Sequence, residues 1–198
     1  MILWGKPMRN VAGMGTGFPE VIGEGVVMTA ILDALSATDQ SRLRDLTHLT
    51  EDIDWPSDVA RAKGWRVANE EYHHRQRDLG RCEMQALMAS LHVAPGMQPA
   101  RAKELVMAAT KMYLQTDMMR VVSRVKNGEL RLYSTRCPLY ERFLDRGWGG
   151  LTACGCFARR QGWFDALAAD LEEELLMNRK WGDPVCQVAV HVKEQQAA

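Results

Sequence analysis

The stretch VVSRVKNGELRLY, residues 121–133, decides the fold. Branched and apolar residues fill both of its arms, and Asn127-Gly128 lies between them. An Asn-Gly pair between two such runs is typical of a two-residue hairpin turn, because both turn positions take a positive φ that these residues tolerate. The stretch therefore predicts two antiparallel strands.

Helical patterns precede this hairpin, and mixed elements follow it. Apolar periodicity and turn residues predict helices at about 19–35, 57–79, 82–93 and 99–116. Downstream, they predict a short helix from Pro138 to about Arg146, an amphipathic helix at 164–178 and a closing strand at 185–192. This order indicates an α+β fold, in which a helical N-terminal half is followed by a small antiparallel sheet with packed helices.

The chain divides into a short leading segment and one domain. Residues 1–18 are rich in glycine, and we expect a flexible lead-in or lid there, because no Lys-Ser or Lys-Thr pair follows to complete a phosphate loop. We expect residues 19–198 to form a single α+β domain. Within it, 19–117 is mainly helical, and 118–192 holds the hairpin, further helices and the closing strand.

The charge balance disfavours two classes of partner. Basic and acidic residues number 25 each, so we expect no charge-driven binding to nucleic acid or to a membrane surface. No segment approaches the ~20 apolar residues of a membrane span, and the N-terminus lacks the pattern of a secretion signal. Five cysteines without such a signal indicate free thiols in the reducing cytoplasm.

Four of the five cysteines lie in the last third of the chain. Cys137 lies at a predicted strand-to-helix step, where the helix dipole favours a thiolate; it is a candidate nucleophile, although free cysteines also pack as small hydrophobes. Cys154 and Cys156 are separated by one residue. At this spacing two side chains point in different directions in a strand or in a helix, so we expect one of the two cysteines to face a pocket. Cys186 opens the closing strand, where we expect structural support.

Two further polar residues are candidates for a site. His73 follows Glu70 at i, i+3, which is half of a carboxylate di-iron motif, but the second half is absent. His73 belongs either to a solvated polar face or, because it borders an apolar stripe, to a cleft. Gly182-Asp183 is typical of a turn, so Asp183 either caps that turn or orients a donor at a site.

The C-terminal half resembles the L-2-amino-thiazoline-4-carboxylic acid hydrolase-like family. Three segments within 118–192 carry the resemblance: Arg136-Cys137-Pro138-Leu139-Tyr140, the region of Cys154 and Cys156, and Gly182-Asp183-Pro184-Val185-Cys186-Gln187-Val188. The closing Gly-Asp-x-x-Cys step is also similar to that of vinyl-4-reductase-type small-molecule-binding domains.

The chain departs from both patterns. Zinc-binding members of the second group have a cysteine eight residues before the last one, and Asn178 occupies that position here, so no zinc site is carried over. The central cysteine of the first family is usually followed by an aspartate three residues later, where this chain has Phe157 or Arg159. The thiazoline substrate itself is therefore not carried over.

The resemblance implies a cytoplasmic enzyme, a hydrolase or related lyase, acting on a small carboxylate-bearing nitrogen or sulfur compound. Ring-opening hydrolysis needs a nucleophile or activated water, a general acid and a cation for the carboxylate. Cys137 and one of Cys154 and Cys156 are candidates for the first two. Arg136 is the candidate for the third, because a guanidinium pairs bidentately with a carboxylate. This hypothesis needs no metal and no cofactor, and it leaves a homodimer open.

Two alternatives stay open beside the enzyme. One is a small-molecule-binding sensor or accessory domain without chemistry, and the other is a metal-thiolate protein. We expect Cys137, Cys186 and one of Cys154 and Cys156 to converge on one cleft. We expect no structural disulfide under reducing conditions, because Cys154 and Cys156 cannot bridge without strain.

Overall fold

A computed structural model describes residues 31–48, 54–114, 121–126 and 129–193. The elements of these ranges, in chain order, are α1 Ala37–His48, α2 Trp55–Lys63, α3 Trp65–Ser90, α4 Pro99–Ala109, β1 Val121–Lys126, β2 Glu129–Ser134, α5 Pro138–Asp145, α6 Gly155–Leu167, β3 Leu171–Met177 and β4 Cys186–Val192. A π-helical turn, Thr110–Leu114, extends α4, and a 3-10 turn, Arg179–Trp181, precedes β4. The predicted α+β fold class is confirmed. The predicted lead-in at 1–18, most of the first predicted helix and the Asn127-Gly128 turn lie outside the described residues.

The four strands form one antiparallel sheet in the order β1-β2-β4-β3. β1 and β2 pair from Val121 opposite Ser134 to Lys126 opposite Glu129, which confirms the predicted strand pairing. β4 lies between β2 and β3, and its first residue, Cys186, is opposite Ser134. The predicted closing strand is therefore confirmed, and it begins beside the end of β2.

The helix break predicted near residue 80 is wrong. The chain breaks at Gly64, where φ is +85°, and α3 then continues without interruption. Gly80 lies inside α3 because another backbone passes there: a Cβ at this position would overlap the carbonyl oxygen of Arg159 in α6. A glycine that signals a helix end in the sequence thus serves close packing instead.

The helix predicted at 164–178 is also wrong. α6 ends at Leu167, Ala168 takes a left-handed φ of +47°, and β3 follows. The acidic run in β3 favours a helix by local propensity, but the Glu173 side chain is buried as the ion-pair partner of Arg160 in α6. The tertiary contact with Arg160, which the local sequence does not reveal, determines that this segment forms a strand.

The sequence analysis predicted no element at α1, although a signal is present. The Ser36 hydroxyl accepts a hydrogen bond from the backbone N–H of Asp39 at 3.0 Å and donates one to its carboxylate at 2.6 Å. The Ser36 hydroxyl thus caps a backbone N–H in the first turn of α1, and a serine in this role marks the start of a helix.

The core lies between the helices and one face of the sheet. Buried side chains from both layers meet in it, among them Leu87, Leu105, Leu130, Trp163 and Val190. α3 and α6 pack closely enough that a Cβ at Gly162 of α6 would overlap the backbone of α3. None of the helices in the described ranges is long and apolar enough to cross a membrane.

A buried charge cluster joins α3 to α6. Glu83 is fully buried, and its carboxylate accepts hydrogen bonds from Arg159 Nε at 2.8 Å and from Trp163 Nε1 at 3.0 Å. The Tyr113 hydroxyl donates to the backbone carbonyl of Glu83 at 2.9 Å. The cluster fixes the rotation of α6, whose first turn carries the cysteines described next.

Candidate functional site

One cavity is formed where the ends of several elements meet. The start of α6, the end of β2, the start of α5, the turn at 178–180 and the start of β4 contribute to its walls. Its volume is about 100 Å³, several times the ~10–15 Å³ that admits one water molecule. Thr110 and Leu114 of the π-helical turn also line it. The cavity is large enough for a small organic molecule.

Cys137, Cys154, Cys156 and Cys186 all line this cavity. The expected convergence of the cysteines is therefore confirmed, with both members of the Cys-Gly-Cys step taking part. Cys82 lies elsewhere, exposed on α3. All five are free thiols in the structure.

Cys154 and Cys156 are in contact, with their sulfur atoms 3.2 Å apart. The expectation that the two side chains point in different directions is wrong. Cys154 is the N-cap of α6, with extended φ and ψ of −85° and 108°, while Cys156 lies in the first helical turn. Because the helix begins between them, neither strand nor helix periodicity relates their side chains.

The two thiols differ in protonation. The hydrogen bond from Cys154 is the largest influence on Cys156 and lowers the pKa of Cys156 well below its ordinary value, against the effect of burial. The same hydrogen bond, together with burial, raises the pKa of Cys154. Both shifts favour the proton of the pair on Cys154 and the negative charge on Cys156.

Arg160 supports the thiolate from one helical turn away. Residues four apart lie on the same face of a helix, and the Arg160 guanidinium lowers the pKa of Cys156 by its charge and by a hydrogen bond. Arg160 Nε donates to a Glu173 carboxylate oxygen at 2.5 Å, and both side chains are buried. Glu173 in β3 thus orients the cation beside the thiolate.

Tyr72 of α3 lies beneath the Cys-Gly-Cys step. A Cβ at Gly155 would lie 2.6 Å from the Tyr72 hydroxyl, so the residue between the two cysteines has no room for a side chain. Among the described residues the buried Tyr72 hydroxyl has no hydrogen-bond partner. Burial and the nearby cysteines raise the pKa of Tyr72, which keeps the phenol neutral.

Cys137 and Cys186 occupy the positions that the sequence predicted. Cys137 is the N-cap of α5. Cys186 begins β4, is half-buried, and its sulfur accepts a hydrogen bond from the backbone N–H of Arg179 at 3.5 Å. Burial raises the pKa of Cys186, which fits the expected supporting role rather than a nucleophilic one.

Three candidate residues lie outside the cavity lining. Arg136 is exposed, and its Nε is 3.1 Å from the Glu141 carboxylate. The Asp183 carboxylate accepts a hydrogen bond from the backbone N–H of Asn178 at 2.7 Å and so caps the turn, one of the two roles expected for it. His73 is exposed on α3 with its ring partly covered; burial lowers its pKa, and a hydrogen bond to the Cys154 backbone opposes that shift.

Cations that the sequence analysis did not select line the cavity instead. Arg160, Arg179 and Lys180 all contribute to its walls. Arg179 Nη1 is 3.4 Å from the Glu141 carboxylate, and Lys180 donates to the carbonyl of Thr152. Burial lowers the pKa of Lys180. The Arg179-Lys180 pair, one residue before the Gly182-Asp183 turn with Trp181 between them, was the available signal.

Among the residues in the described ranges, no group of three or more His, Cys, Asp or Glu side chains is arranged to hold a metal ion. The four cysteines share a cavity without forming such a group. The walls of the cavity contain many apolar residues, among them Leu114, Leu132, Phe143 and Val188. The arrangement as a whole offers a thiolate, a neighbouring thiol and cations at a partly apolar cavity.

Comparisons with known proteins give little further information. No protein-family model matches the chain, and no curated protein is significantly similar to it. One solved structure is similar, that of a trafficking protein particle complex subunit 3 from Naegleria fowleri covalently bound to palmitic acid. It is 16% identical, with a TM-score of 0.43, over 84% of this chain and 96% of that one. At this TM-score, no conclusion about this chain follows from it.

Proposed function

We propose that the protein is a cysteine-dependent enzyme of the hydrolase type, with Cys156 as the nucleophile and a small carboxylate-bearing compound as the substrate. The observation that carries the proposal is the 3.2 Å contact between Cys154 and Cys156 beside buried Arg160, in a cavity of ligand size. A nucleophilic thiol needs a neighbouring group that stabilises its anion. Cys156 has two such neighbours.

The first chemical step uses both thiols. The Cys156 thiolate attacks a carbon bonded to nitrogen or sulfur, a new C–S bond forms, and the C–N or C–S bond to the leaving group breaks. Cys154, which holds the proton, transfers it to the departing nitrogen or sulfur. This division gives both roles to the Cys-Gly-Cys step, whereas the sequence analysis gave them to Cys137 and one of Cys154 and Cys156.

The second step releases Cys156. Water attacks the carbon bound to Cys156, the C–S bond breaks, and the Cys156 thiolate leaves. Cys154, which the first step left as a thiolate, takes the proton of water and so returns to its starting state.

The walls of the cavity indicate how a substrate would be held. Arg179 is the proposed clamp for the substrate carboxylate, because Arg179 lines the cavity, Arg136 does not, and a guanidinium pairs well with a carboxylate. Leu132, Phe143 and Val188 would contact the apolar part of the substrate. Arg179→Gln should therefore raise KM more than it lowers kcat.

Turnover of a substrate panel tests this proposal. The panel contains carboxylate-bearing thioesters, thiazolines and amides, assayed under reducing conditions with product detection by mass spectrometry. We expect turnover by the wild type, its loss in Cys156→Ala, and full activity in the matched control Cys82→Ala, since Cys82 is exposed away from the cavity. Full activity in Cys156→Ala, or loss only in Cys137→Ser, would move the nucleophile to another cysteine and contradict the assignment.

The apolar walls also favour the alternative of a binding domain without chemistry. Isothermal titration of the same panel distinguishes the two. If compounds bind with equal affinity to the wild type and to Cys156→Ala, and none is turned over, the cavity is a receptor and the enzyme proposal is wrong.

A further inference from the structure

We propose that Cys154 and Cys156 are also a dithiol–disulfide pair that exchanges with small-molecule disulfides entering the cavity. This activity is distinct from hydrolysis and does not depend on it. It requires one attacking thiolate, one thiol within reach of the attacked sulfur, and space for the incoming disulfide. The Cys-Gly-Cys step provides the two sulfur groups, and the cavity provides the space.

The geometry brings the two sulfur atoms close to bonding distance. They are 3.2 Å apart, and a disulfide is about 2.05 Å long, so closure needs an approach of only about 1 Å. Cys154 is the N-cap of α6, and its φ and ψ are extended rather than helical. Gly155 places no side chain between the sulfurs.

The exchange proceeds in two balanced steps. The Cys156 thiolate attacks one sulfur of a disulfide R–S–S–R, a bond forms between Cys156 and that sulfur, and R–S⁻ leaves. Cys154 then loses its proton to that thiolate and attacks the Cys156 sulfur, which expels a second R–S⁻. The protein loses two electrons and the proton of Cys154, the second R–S⁻ takes a proton from water, and the small disulfide becomes two thiols.

The surroundings favour Cys156 as the attacking residue and Cys154 as the resolving one. Arg160 lies beside Cys156 and is held by Glu173, so the negative charge is stabilised on that sulfur. Lys180 lies near Cys154, where a cation helps the thiol to ionise at the second step. A disulfide across a single residue closes a small ring, and strained disulfides are the readily reduced kind. The bond would therefore be reversible rather than structural.

Formation of this bond would remove the Cys156 nucleophile. The oxidised protein would then lack hydrolytic activity until a thiol reduces it. Hydrolysis and the disulfide state would thus not be present at the same time in one molecule.

Mass spectrometry of the full chain tests the exchange. Reduced protein is incubated without oxygen in dimethyl disulfide, which is small enough for the cavity, then acid-quenched and digested with trypsin. Cleavage after Arg146 and Arg159 gives a peptide, 147–159, that holds Cys154 and Cys156 and no other cysteine. In the wild type and in Cys82→Ser we expect this peptide to lose two hydrogens and to retain no methylthio group.

Two variants separate the steps. Cys154→Ser should stop at one methylthio group bound to Cys156, and Cys156→Ser should give neither product on this peptide, with circular dichroism confirming the fold of both. A stable methylthio adduct in the wild type, or a disulfide to Cys137 or Cys186 instead, would overturn the proposal. Because the assay measures mass and not turnover, its outcome is independent of the proposed hydrolysis.

Discussion

Replacing Cys154 with alanine should raise the pKa of Cys156 and slow its reaction with alkylating agents at acid pH. The Cys154 thiol is the largest influence that lowers the pKa of Cys156. Alanine removes that donor and leaves Arg160 in place. The variant therefore isolates the contribution of one hydrogen bond to the thiolate.

The size of the effect follows from the strength of that bond. A hydrogen bond to a charged group contributes roughly 1.5–3 kcal/mol, and one pKa unit corresponds to about 1.36 kcal/mol. The expected rise is therefore about 1–2 pKa units. At any pH below both pKa values, the thiolate fraction and the alkylation rate should fall by roughly 10–100-fold.

The assay follows alkylation of peptide 147–159 by iodoacetamide between pH 4 and pH 9. In Cys154→Ala this peptide has Cys156 as its single thiol, so the signal is unambiguous. Cys82, exposed on α3, reports reagent quality in the same sample, and Cys82→Ala is the matched control. An unchanged rate profile at Cys156, or faster reaction at acid pH, would refute the role assigned to Cys154.

Three further predictions concern the helices that hold the site. Glu83→Ala should lower the free energy of unfolding by about 3–5 kcal/mol in urea denaturation, because it leaves Arg159 buried without its carboxylate; a loss below about 1 kcal/mol would contradict this. Gly162→Ala should lower Tm strongly, because its Cβ would overlap the α3 backbone, whereas Gly150→Ala, which meets open space, should not. The hydrogen bond from Arg77 in α3 lowers the pKa of Asp165. The stabilisation that this ion pair gives to the fold is therefore present above the unfolded-state pKa of Asp165, and it is lost as pH falls through the folded-state pKa. Asp165→Asn should lower Tm at pH 7 and converge on the wild type in acid; parallel curves would count against it.

Local signals in the sequence were sufficient for the hairpin, the closing strand and the helix after Cys137. Each depends on residues that act within a few positions, such as Pro138 at the first turn of α5. The same kind of reasoning failed at β3. There the ion pair with Arg160 stabilises Glu173 in a strand. Arg160 lies thirteen residues away along the chain, in α6.

Part of the candidate site could also be predicted from signals within the sequence. The concentration of cysteines after residue 136 predicted a common cleft, and all four line one cavity. The contact between Cys154 and Cys156 was not predictable, because the start of α6 falls between them and places both sulfurs on one side. The sequence analysis predicted Arg136, next to Cys137, as the clamp and did not consider Arg179, which the turn before β4 brings to the cavity.

The glycine contacts between α3 and α6 determine which wall of the cavity stays fixed when a molecule binds. Because the two backbones touch at Gly80 and Gly162, α6 can neither slide along α3 nor withdraw from it without losing its closest contacts. The wall that carries Cys156 is therefore fixed. Any adjustment of the cavity to a bound molecule therefore falls to the other elements that line it, such as the start of α5 and the turn before β4.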